Sequence, residues 1–184
     1  VFSHTGSDSR YFNREGRYGE GGAYRDPNSP YRSWYDFDSK YKGGYRSWWG
    51  FETLPEVNEE TPSYVEFITG EGGVIDTWLR RGAAGFRLDV ADELPDEFIE
   101  KVRTAVKRVG PDKFLLGEVW EDATTKFGFD KRRTYLLGKG LDSVMNYPFK
   151  NAVLGFVCGR DAGQTMTDIL SICEHYPAPA LDTA

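Results

Sequence analysis

The sequence predicts an α/β fold: an open part of a parallel (β/α)8 barrel (TIM barrel), with a small subdomain inserted after its first strand. Two short apolar stretches, Gly85–Glu93 and Phe114–Trp120, each begin as a buried strand and end in charged residues. A helical pattern separates them, and a strand–helix–strand unit makes parallel neighbours with a right-handed crossover. Acidic residues from both strands are therefore expected at one carboxyl-terminal sheet edge, where α/β barrels place their functional residues.

The composition narrows the possible classes of protein. The 184 residues are enough for one domain with a real core. A net charge of −6 without a basic block argues against nucleic acid as a partner, and no apolar run approaches the roughly 18–20 residues that span a membrane. No P-loop, G-x-G-x-x-G or C-x-x-C motif supports a nucleotide or zinc site, and no metal site is predicted. Cys158 and Cys173 are expected to be buried free thiols, which favours a cytoplasmic location, with secretion as the alternative.

The first third of the chain has little periodicity. Val1–Gly6 reads as the tail of a strand, so we expect the chain to begin inside a barrel domain of which residues 1–184 are a part. Residues 7–58 are rich in Gly, Tyr, Trp, Ser and Asp, and 13 of the 28 aromatic residues fall between Tyr11 and Phe51. A structureless loop of this length is uncommon in a compact domain. Residues 7–58 are therefore predicted to form the inserted subdomain.

Helical and strand patterns alternate after this region, as in α/β proteins. Together with Val1–Gly6, we count four strands, whereas a closed barrel needs eight. The predicted elements are, in order, a helix with apolar spacing from Tyr64 to Leu79 that ends at Arg80–Gly82, the strand around Asp89, a helix from Pro95 to Val109, the strand ending at Glu118, the strand Leu141–Tyr147, a helix from Pro148 to Val157, and a helix through Met166 and Cys173 that Pro177 stops.

The acids at the strand ends allow glycosidase chemistry, since two carboxylates on adjacent strands can lie about 5–5.5 Å apart, as in retaining glycosidases. Arg87 shares a strand face with Asp89, and a nearby arginine favours the ionised carboxylate, so Asp89 is the candidate nucleophile. Glu118 has apolar neighbours and no basic residue before Lys126. Burial there would favour its protonated form, so Glu118 is the candidate general acid and base. The alternative is a structural Arg87–Asp89 ion pair beside a solvated Glu118.

Other residues could contact a sugar. His4 could donate a hydrogen bond to a hydroxyl group, and Trp120 could stack on the apolar face of a pyranose ring. The many aromatic residues between positions 7 and 58 could do the same, but for each of them a place in the subdomain's own core is the favoured interpretation. Asp92 and Glu93 could instead cap the helix that Pro95 opens.

Four blocks of the sequence together resemble the catalytic domain of glycoside hydrolase family 13, the α-amylase family, and within it the neopullulanase, cyclomaltodextrinase and amylopullulanase types. The blocks span nearly the whole chain and are specific as a set. They are Val1–His4, which resembles the end of the first block, Leu54–Asn58, which resembles the block in the family's inserted domain, Gly85–Glu93, which matches the second block, and Gly117–Asp122, which matches the third.

The resemblance implies hydrolysis of α-1,4 glucosidic bonds, with α-1,6 bonds as a second class, with retention of configuration, in starch, pullulan, cyclodextrins or maltooligosaccharides. It implies no certain cofactor: Ser3 stands where many amylases have Asn, so calcium is a candidate only for the full-length enzyme. A homodimer of that enzyme is a further expectation. The resemblance assigns the nucleophile Asp89, the acid/base Glu118, and the substrate-binding His4, Arg87 and Glu93. Trp120 joins the substrate-binding candidates because it could stack on a sugar ring.

The family's last block, which carries a third catalytic carboxylate and a histidine, is not found in these residues. We therefore expect the chain to hold about the third to sixth barrel strands and to be inactive alone, because an open barrel cannot hold the acids in place. Two alternatives remain. One is a transglycosylase of the same family, such as a branching enzyme, and the other is a non-catalytic relative that binds carbohydrate or assembles with a partner.

Overall fold

The computed structural model describes residues 1–183, which divide into two compact units. The first unit covers Val1–Val74, and the second begins at Ile75. All three strands of the parallel sheet belong to the second unit. Residues 7–58 lie within the first unit, and their place as an insertion in a barrel stays a prediction.

Packed aromatic rings hold the first unit together. Phe12 and Tyr45 are completely buried, and their ring centroids lie 4.6 Å apart in an edge-to-face arrangement. The ring of Tyr35 lies 4.8 Å from that of Phe12, and a second cluster joins Trp34 to Tyr64 at 5.1 Å. Such pairs contribute about 0.5–1.5 kcal/mol each beyond their burial. The core interpretation is therefore confirmed for Phe12, Trp34, Tyr35 and Tyr45.

Regular secondary structure is sparse in this unit before its first α-helix. Three short 3-10 helices, Arg32–Trp34, Lys42–Gly44 and Trp48–Gly50, occur between turns. The prediction that Val1–Gly6 is the tail of a strand is wrong. The segment forms one isolated antiparallel bridge, between His4 and Glu56, and its pairing does not extend into a ladder.

The predicted helix from Tyr64 to Leu79 is two helices, α1 at Pro62–Thr69 and α2 at Val74–Arg80. Residues 70–73 connect the two helices and are not helical. Gly72 has a φ of +73°, a left-handed conformation that glycine adopts easily, and a Cβ at Gly70 would approach the carbonyl oxygen of Glu66 to 2.5 Å. The glycines that only weaken the helical pattern in the sequence therefore end α1.

The second unit confirms the predicted parallel strand–helix–strand unit. Its sheet has three strands in the order β1 (Gly85–Leu88), β2 (Phe114–Gly117) and β5 (Ser143–Val144), with both pairs of neighbours parallel. The polar loop before β5 contains an antiparallel hairpin that the sequence did not predict. The elements are β1 at Gly85–Leu88, a 3-10 helix at Ala91–Glu93, α3 at Asp96–Val109, β2 at Phe114–Gly117, the hairpin β3 at Phe127–Gly128 and β4 at Lys131–Arg132, β5 at Ser143–Val144, α4 at Tyr147–Val157, α5 at Ala162–His175 and α6 at Ala178–Leu181.

An ion-pair cluster on Asp142 ties α3 to the sheet. The carboxylate accepts hydrogen bonds from Arg103 Nη1 at 2.7 Å and Lys107 Nζ at 2.8 Å, both on α3, and from the backbone N–H of Leu115 in β2 at 2.8 Å. Burial opposes ionisation of Asp142, but these three donors outweigh it and lower its pKa. The cluster fixes the start of β5 relative to α3 and β2.

The predicted third strand, Leu141–Tyr147, is too long by five residues, because only Ser143–Val144 form β5. The next helix begins already at Tyr147. Its N-cap is Asn146, whose side-chain oxygen accepts a hydrogen bond from the backbone N–H of Phe149 at 3.1 Å. This cap ends the extended conformation before the predicted strand is complete.

The prediction of buried cysteines is wrong, since Cys158 and Cys173 are both free and exposed. Helices α4 and α5 pack against each other but leave apolar side chains open within the described part of the chain, for example Val157 and Leu170. Apolar spacing on these helices therefore does not imply burial of every apolar position.

Within residues 1–183, no helix combines the length and the apolarity that crossing a membrane would require.

Candidate active site

The ends of β1 and β2 lie side by side. Leu88 is the register partner of Gly117, so Asp89 and Glu118 leave the sheet at the same height. The strands stay joined past this point, because the N–H of Glu118 donates to the carbonyl of Leu88 at 2.9 Å and the N–H of Ala91 donates to the carbonyl of Glu118 at 3.1 Å. The predicted meeting of the two acids at one sheet edge is therefore present in the structure.

A glycine makes this close approach possible. A Cβ at Gly117 would collide with the side chain of Leu141 and would lie 3.2 Å from Cβ of Ala91. Contacts closer than about 3.4 Å between carbon atoms lie inside the optimal van der Waals separation. A side chain before Glu118 would therefore require Leu141 to shift and Ala91 to give by a few tenths of an ångström, and glycine avoids both.

Arg87 bridges the two acids. Its Nη1 pairs with Asp89 Oδ1, and its Nη2 lies 2.7 Å from Glu118 Oε1. The sequence pattern paired this arginine with Asp89 alone and expected no basic neighbour for Glu118, and the second half of that expectation is wrong. An arginine presents two terminal nitrogens in one plane, so a single side chain can contact both carboxylates. Arg87 therefore does not distinguish the chemical roles of the two acids.

Glu118 is buried and held by further donors. Its Oε2 accepts a hydrogen bond from the backbone N–H of Val90 at 3.0 Å, and its Oε1 accepts one from the hydroxyl of Tyr147 at 3.3 Å. Neither partner was predicted from the sequence. The position of Tyr147, at the carboxyl edge directly after the third strand segment and before Pro148, is the signal that could have identified it.

Val90 has an uncommon backbone conformation. Its φ of +45° and ψ of +50° lie in the left-handed region, which β-branched residues rarely adopt. Such a conformation costs on the order of 1–3 kcal/mol and persists only where the surrounding contacts fix it. Here it turns the N–H of Val90 toward Glu118 directly after Asp89. The strained residue therefore links the two acids through the backbone.

Asp92 does not cap the helix α3, contrary to one predicted alternative. The N-cap of α3 is Pro95, without a side-chain hydrogen bond. Asp92 instead accepts a hydrogen bond from the hydroxyl of Tyr135 at 2.9 Å and pairs with Lys126 at 3.0 Å. Burial, reinforced by the negative charge of Asp92, raises the pKa of Tyr135 above its usual range. The turn after β1 is thus fastened to the loop that contains the β3–β4 hairpin.

The other predicted site residues lie on several segments. Glu93 ends the 3-10 helix that follows Asp89, and Trp120 is an exposed residue two positions after Glu118. His4 belongs to the first unit, where its ring stacks on Trp48 with centroids 5.3 Å apart. The Ser3 hydroxyl lies 3.0 Å from its Nδ1. The structure thus brings together Arg87, Asp89 and Glu118.

The described residues offer no support for a metal centre. Among residues 1–183, no group of three or more His, Cys, Asp or Glu side chains is arranged to hold a metal ion. The side chains around Glu118 are instead one arginine and one tyrosine, which donate hydrogen bonds. Calcium stays a prediction for the full-length protein, and no step of the chemistry below depends on it.

Comparison with known proteins identifies the family of this chain. The model of the family described as alpha amylase, catalytic domain, matches residues 1–176. An amylopullulanase of Thermoanaerobacterium saccharolyticum is 34% identical over 98% of this chain, which spans 16% of that protein. Neopullulanase 2 of Thermoactinomyces vulgaris is 31% identical over 85% of the chain, which spans 24% of it.

A solved structure gives the same result. A debranching enzyme from Nostoc punctiforme superposes with a TM-score of 0.77 and 26% identity, covering 97% of this chain and 38% of that one. The chain therefore spans much less than half the length of these relatives. The family match extends over nearly all of its residues. This chain belongs to the family of alpha-amylase catalytic domains.

Proposed function

We propose that this chain supplies the two reacting carboxyl groups of a retaining α-glucan hydrolase. Asp89 is the nucleophile that attacks the anomeric carbon, and Glu118 is the acid that protonates the leaving oxygen. The observation that carries the proposal is the contact of one guanidinium, that of Arg87, with both carboxylates at the ends of adjacent parallel strands. Retaining enzymes use two carboxyl groups about 5–5.5 Å apart, and two carboxylates that contact the same guanidinium lie near each other.

The two steps need opposite proton states of Glu118. In the first step its proton passes to the glycosidic oxygen while an oxygen of Asp89 bonds to the sugar carbon. In the second step Glu118 takes a proton from water, which displaces Asp89 and regenerates both groups. The hydroxyl of Tyr147 and the N–H of Val90 keep the Glu118 carboxyl group in one orientation through both steps. Arg87 holds Asp89 beside it.

The assignment to Asp89 and Glu118, rather than the reverse, follows the resemblance and the position of each group. Asp89 lies on the more open side of the pair, whereas Glu118 is buried and has two donors besides Arg87. A nucleophile must be reached by the substrate carbon, and an acid must be held within hydrogen-bond reach of the leaving oxygen. The more open carboxylate therefore fits the nucleophile.

The proposed substrates are α-1,4-linked glucans, with α-1,6 bonds as a second class. The names of the similar proteins support this choice, since they include an amylopullulanase, a neopullulanase and a debranching enzyme. We propose His4, Glu93 and Trp120 as substrate contacts. We also propose a cytoplasmic location and a homodimer for the complete protein, and we expect residues 1–184 alone to be inactive.

Trapping the intermediate tests the proposal. The complete protein that contains this sequence is incubated with a mechanism-based fluorinated α-glucosyl fluoride, and its peptides are analysed by mass spectrometry. We expect a sugar on Asp89, and no label in the Asp89→Asn variant. A wild-type protein that hydrolyses maltoheptaose without labelling at Asp89 contradicts the assignment. A wild-type protein that binds maltoheptaose without cleaving it favours the non-catalytic alternative.

The acid/base role has its own test. Glu118→Gln should slow hydrolysis of maltoheptaose by about 10²–10⁴-fold, because the leaving oxygen loses its proton donor. The same variant should still react with the glucosyl fluoride, whose leaving group needs no proton. Glu121→Gln is the matched control, since this exposed acid lies three residues further along and pairs with Lys126.

Product analysis separates hydrolysis from the transglycosylase alternative. Products longer than maltoheptaose, formed by the wild-type protein, would indicate a transglycosylase.

A further inference from the structure

Arg133 lies behind the turn that follows Asp89. Its side chain has no exposed surface, although it comes from the polar loop that contains the β3–β4 hairpin. Its Nε donates to Oδ1 of Asp96 at 2.8 Å, and its terminal nitrogens donate to three backbone carbonyl groups of the turn. These carbonyl groups belong to Asp92 at 2.5 Å, Leu94 at 2.7 Å and Ala91 at 3.4 Å.

Only a guanidinium can make this set of contacts. It is a rigid planar fork with five N–H donors, whereas a lysine ammonium is a compact point charge on a flexible stem. The charge is buried, and burying a charge is costly unless it is paired and hydrogen-bonded. Asp96 supplies the charge, and the carbonyl groups supply the remaining acceptors. The cation thus joins the turn to Asp96, the first residue of α3.

That turn is also the one that binds Glu118. The N–H of Val90 donates to Glu118 Oε2, and the N–H of Ala91 donates to the backbone carbonyl of Glu118. Arg133 donates to carbonyl groups of the same turn, those of Ala91, Asp92 and Leu94. A left-handed Val90 is costly by itself, so contacts that fix the following residues are needed to maintain it. The two sets of contacts meet between Asp89 and Leu94.

We propose that Arg133 is a positioning residue for the acid pair. It touches neither carboxyl group of the pair, and it acts by fixing the turn that carries Asp89 at its start and that orients Glu118 through the N–H of Val90. This inference rests on the proposed function for its catalytic consequence. Loss of the fork should therefore lower kcat more than it raises KM, because Asp89 and Glu118 lose their relative position while two of the three proposed substrate contacts, His4 and Trp120, lie outside the turn.

The experiment uses Arg133→Lys and Arg133→Met in the complete protein, with Arg132→Lys as the matched control. Arg132, the last residue of β4 and the neighbour that precedes Arg133, is exposed, and its Nη2 donates to the carbonyl of Thr124. With maltoheptaose we expect Arg133→Lys to lower kcat about 10- to 100-fold with KM changed less than about twofold. Arg132→Lys should keep both constants. If Arg133→Met does not fold, the lysine variant carries the test.

Hydrogen exchange at the Val90 amide gives a readout that does not depend on activity. We expect the exchange to be about tenfold faster or more in Arg133→Lys and unchanged in Arg132→Lys, because an opened turn exposes this N–H. A kcat loss that matches the unfolded fraction, or Val90 exchange equal to wild type, overturns the positioning role. A wild-type protein without hydrolase activity counts against the proposed function, while the exchange measurement still decides whether Arg133 holds the turn.

Discussion

The two units solve the same problem, which is to fix irregular backbone, by different means. In the first unit, loops are held by a core of rings in which Phe12 contacts Tyr35 and Tyr45. In the second unit, the turn beyond β1 is held by charged side chains that bind backbone groups. Arg133 donates to its carbonyl groups, and Glu118 accepts a hydrogen bond from the N–H of Val90. Apolar burial is non-directional, whereas a hydrogen bond fixes both distance and angle.

The difference shows what each unit requires. Rings can fill space in several packings, so they can order a long loop without setting any atom to within a fraction of an ångström. Two reacting carboxyl groups need their relative position fixed closely. The directional contacts collect at the end of β1 and β2, where the acid pair lies. Aromatic packing therefore orders the loops of the first unit, and charge-assisted hydrogen bonds set the relative position of Asp89 and Glu118 in the second.

The largest expected effect tests the role of the rings. Phe12→Ala should destabilise the first unit by about 3–5 kcal/mol, because the side chain is fully buried and leaves a cavity. Leu115→Ala, at an equally buried position in β2, should cost about 2–5 kcal/mol in the second unit. Denaturant unfolding of the complete protein, followed by hydrogen exchange in each unit, measures both. The exposed Tyr18→Ala is the control, and an equal loss there would contradict the ring core.

A smaller effect tests directional charge contacts that serve the fold alone. Asp142→Asn should cost about 1.5–3 kcal/mol, since it weakens hydrogen bonds to Arg103 and Lys107. Because the folded state lowers the pKa of Asp142, its contribution is present above the ordinary value of 3.8 and is lost as the pH falls through the lowered value. Thermal unfolding from pH 7 to pH 2 measures this. The exposed Asp112→Asn should behave as wild type.

Glu59 is a buried acid of the first unit, and burial is the largest influence on its pKa. Burial, with a contribution from Glu56, raises the pKa of Glu59 to about 8. The folded state then holds a proton that the unfolded state releases near pH 4.5, so stability is greatest below that pH and falls as the pH rises through about 8. Glu59→Gln should remove this fall.

Unfolding of the first unit between pH 5 and pH 9 checks the Glu59 prediction, with the neighbouring exposed Glu60→Gln as the matched control. The wild-type protein and the control should lose stability as the pH rises, and Glu59→Gln should not. If all three respond equally to pH, another group causes the change, and the contrast between the acids of the two units is lost.

The smallest expected effect concerns the hairpin in the second unit. Phe129 and Asp130, between β3 and β4, both have positive φ, as two-residue hairpins of the tightest type require. Asp130→Gly should stabilise the protein by less than about 1 kcal/mol, since glycine adopts this conformation without strain. Asp130→Ala should destabilise it. A rise in the melting temperature for both variants would show that strain is not the cause.

Periodicity explains which parts could be predicted from the sequence. Strands β1 and β2 and helix α3 follow from apolar spacing and their caps, and the meeting of Asp89 with Glu118 follows from parallel pairing. The length of β5 was overestimated because the sequence does not show that Asn146 caps a helix. The break between α1 and α2 was missed because helical spacing continued on both sides of the glycines.

Most of the contacts that complete the site could not be predicted from the sequence. Arg133 reaches the turn after β1 from a segment far along the chain, and no local pattern marks the left-handed conformation of Val90. Only the position of Tyr147 after the third strand segment offered a signal. The partner of Glu118 was missed for a related reason, since Arg87 extends across from the neighbouring strand. The first unit has no repeating pattern that could indicate which ring packs on which.

Gly117 has a consequence for how this protein can vary. A methyl group at that position would meet Leu141 and Ala91, so a side chain there requires both neighbours to move. In a mutational library that randomises position 117, glycine should therefore be the most frequent residue among the active members. Selection that maintains Glu118 would then also favour glycine at position 117, although Gly117 takes no part in the reaction.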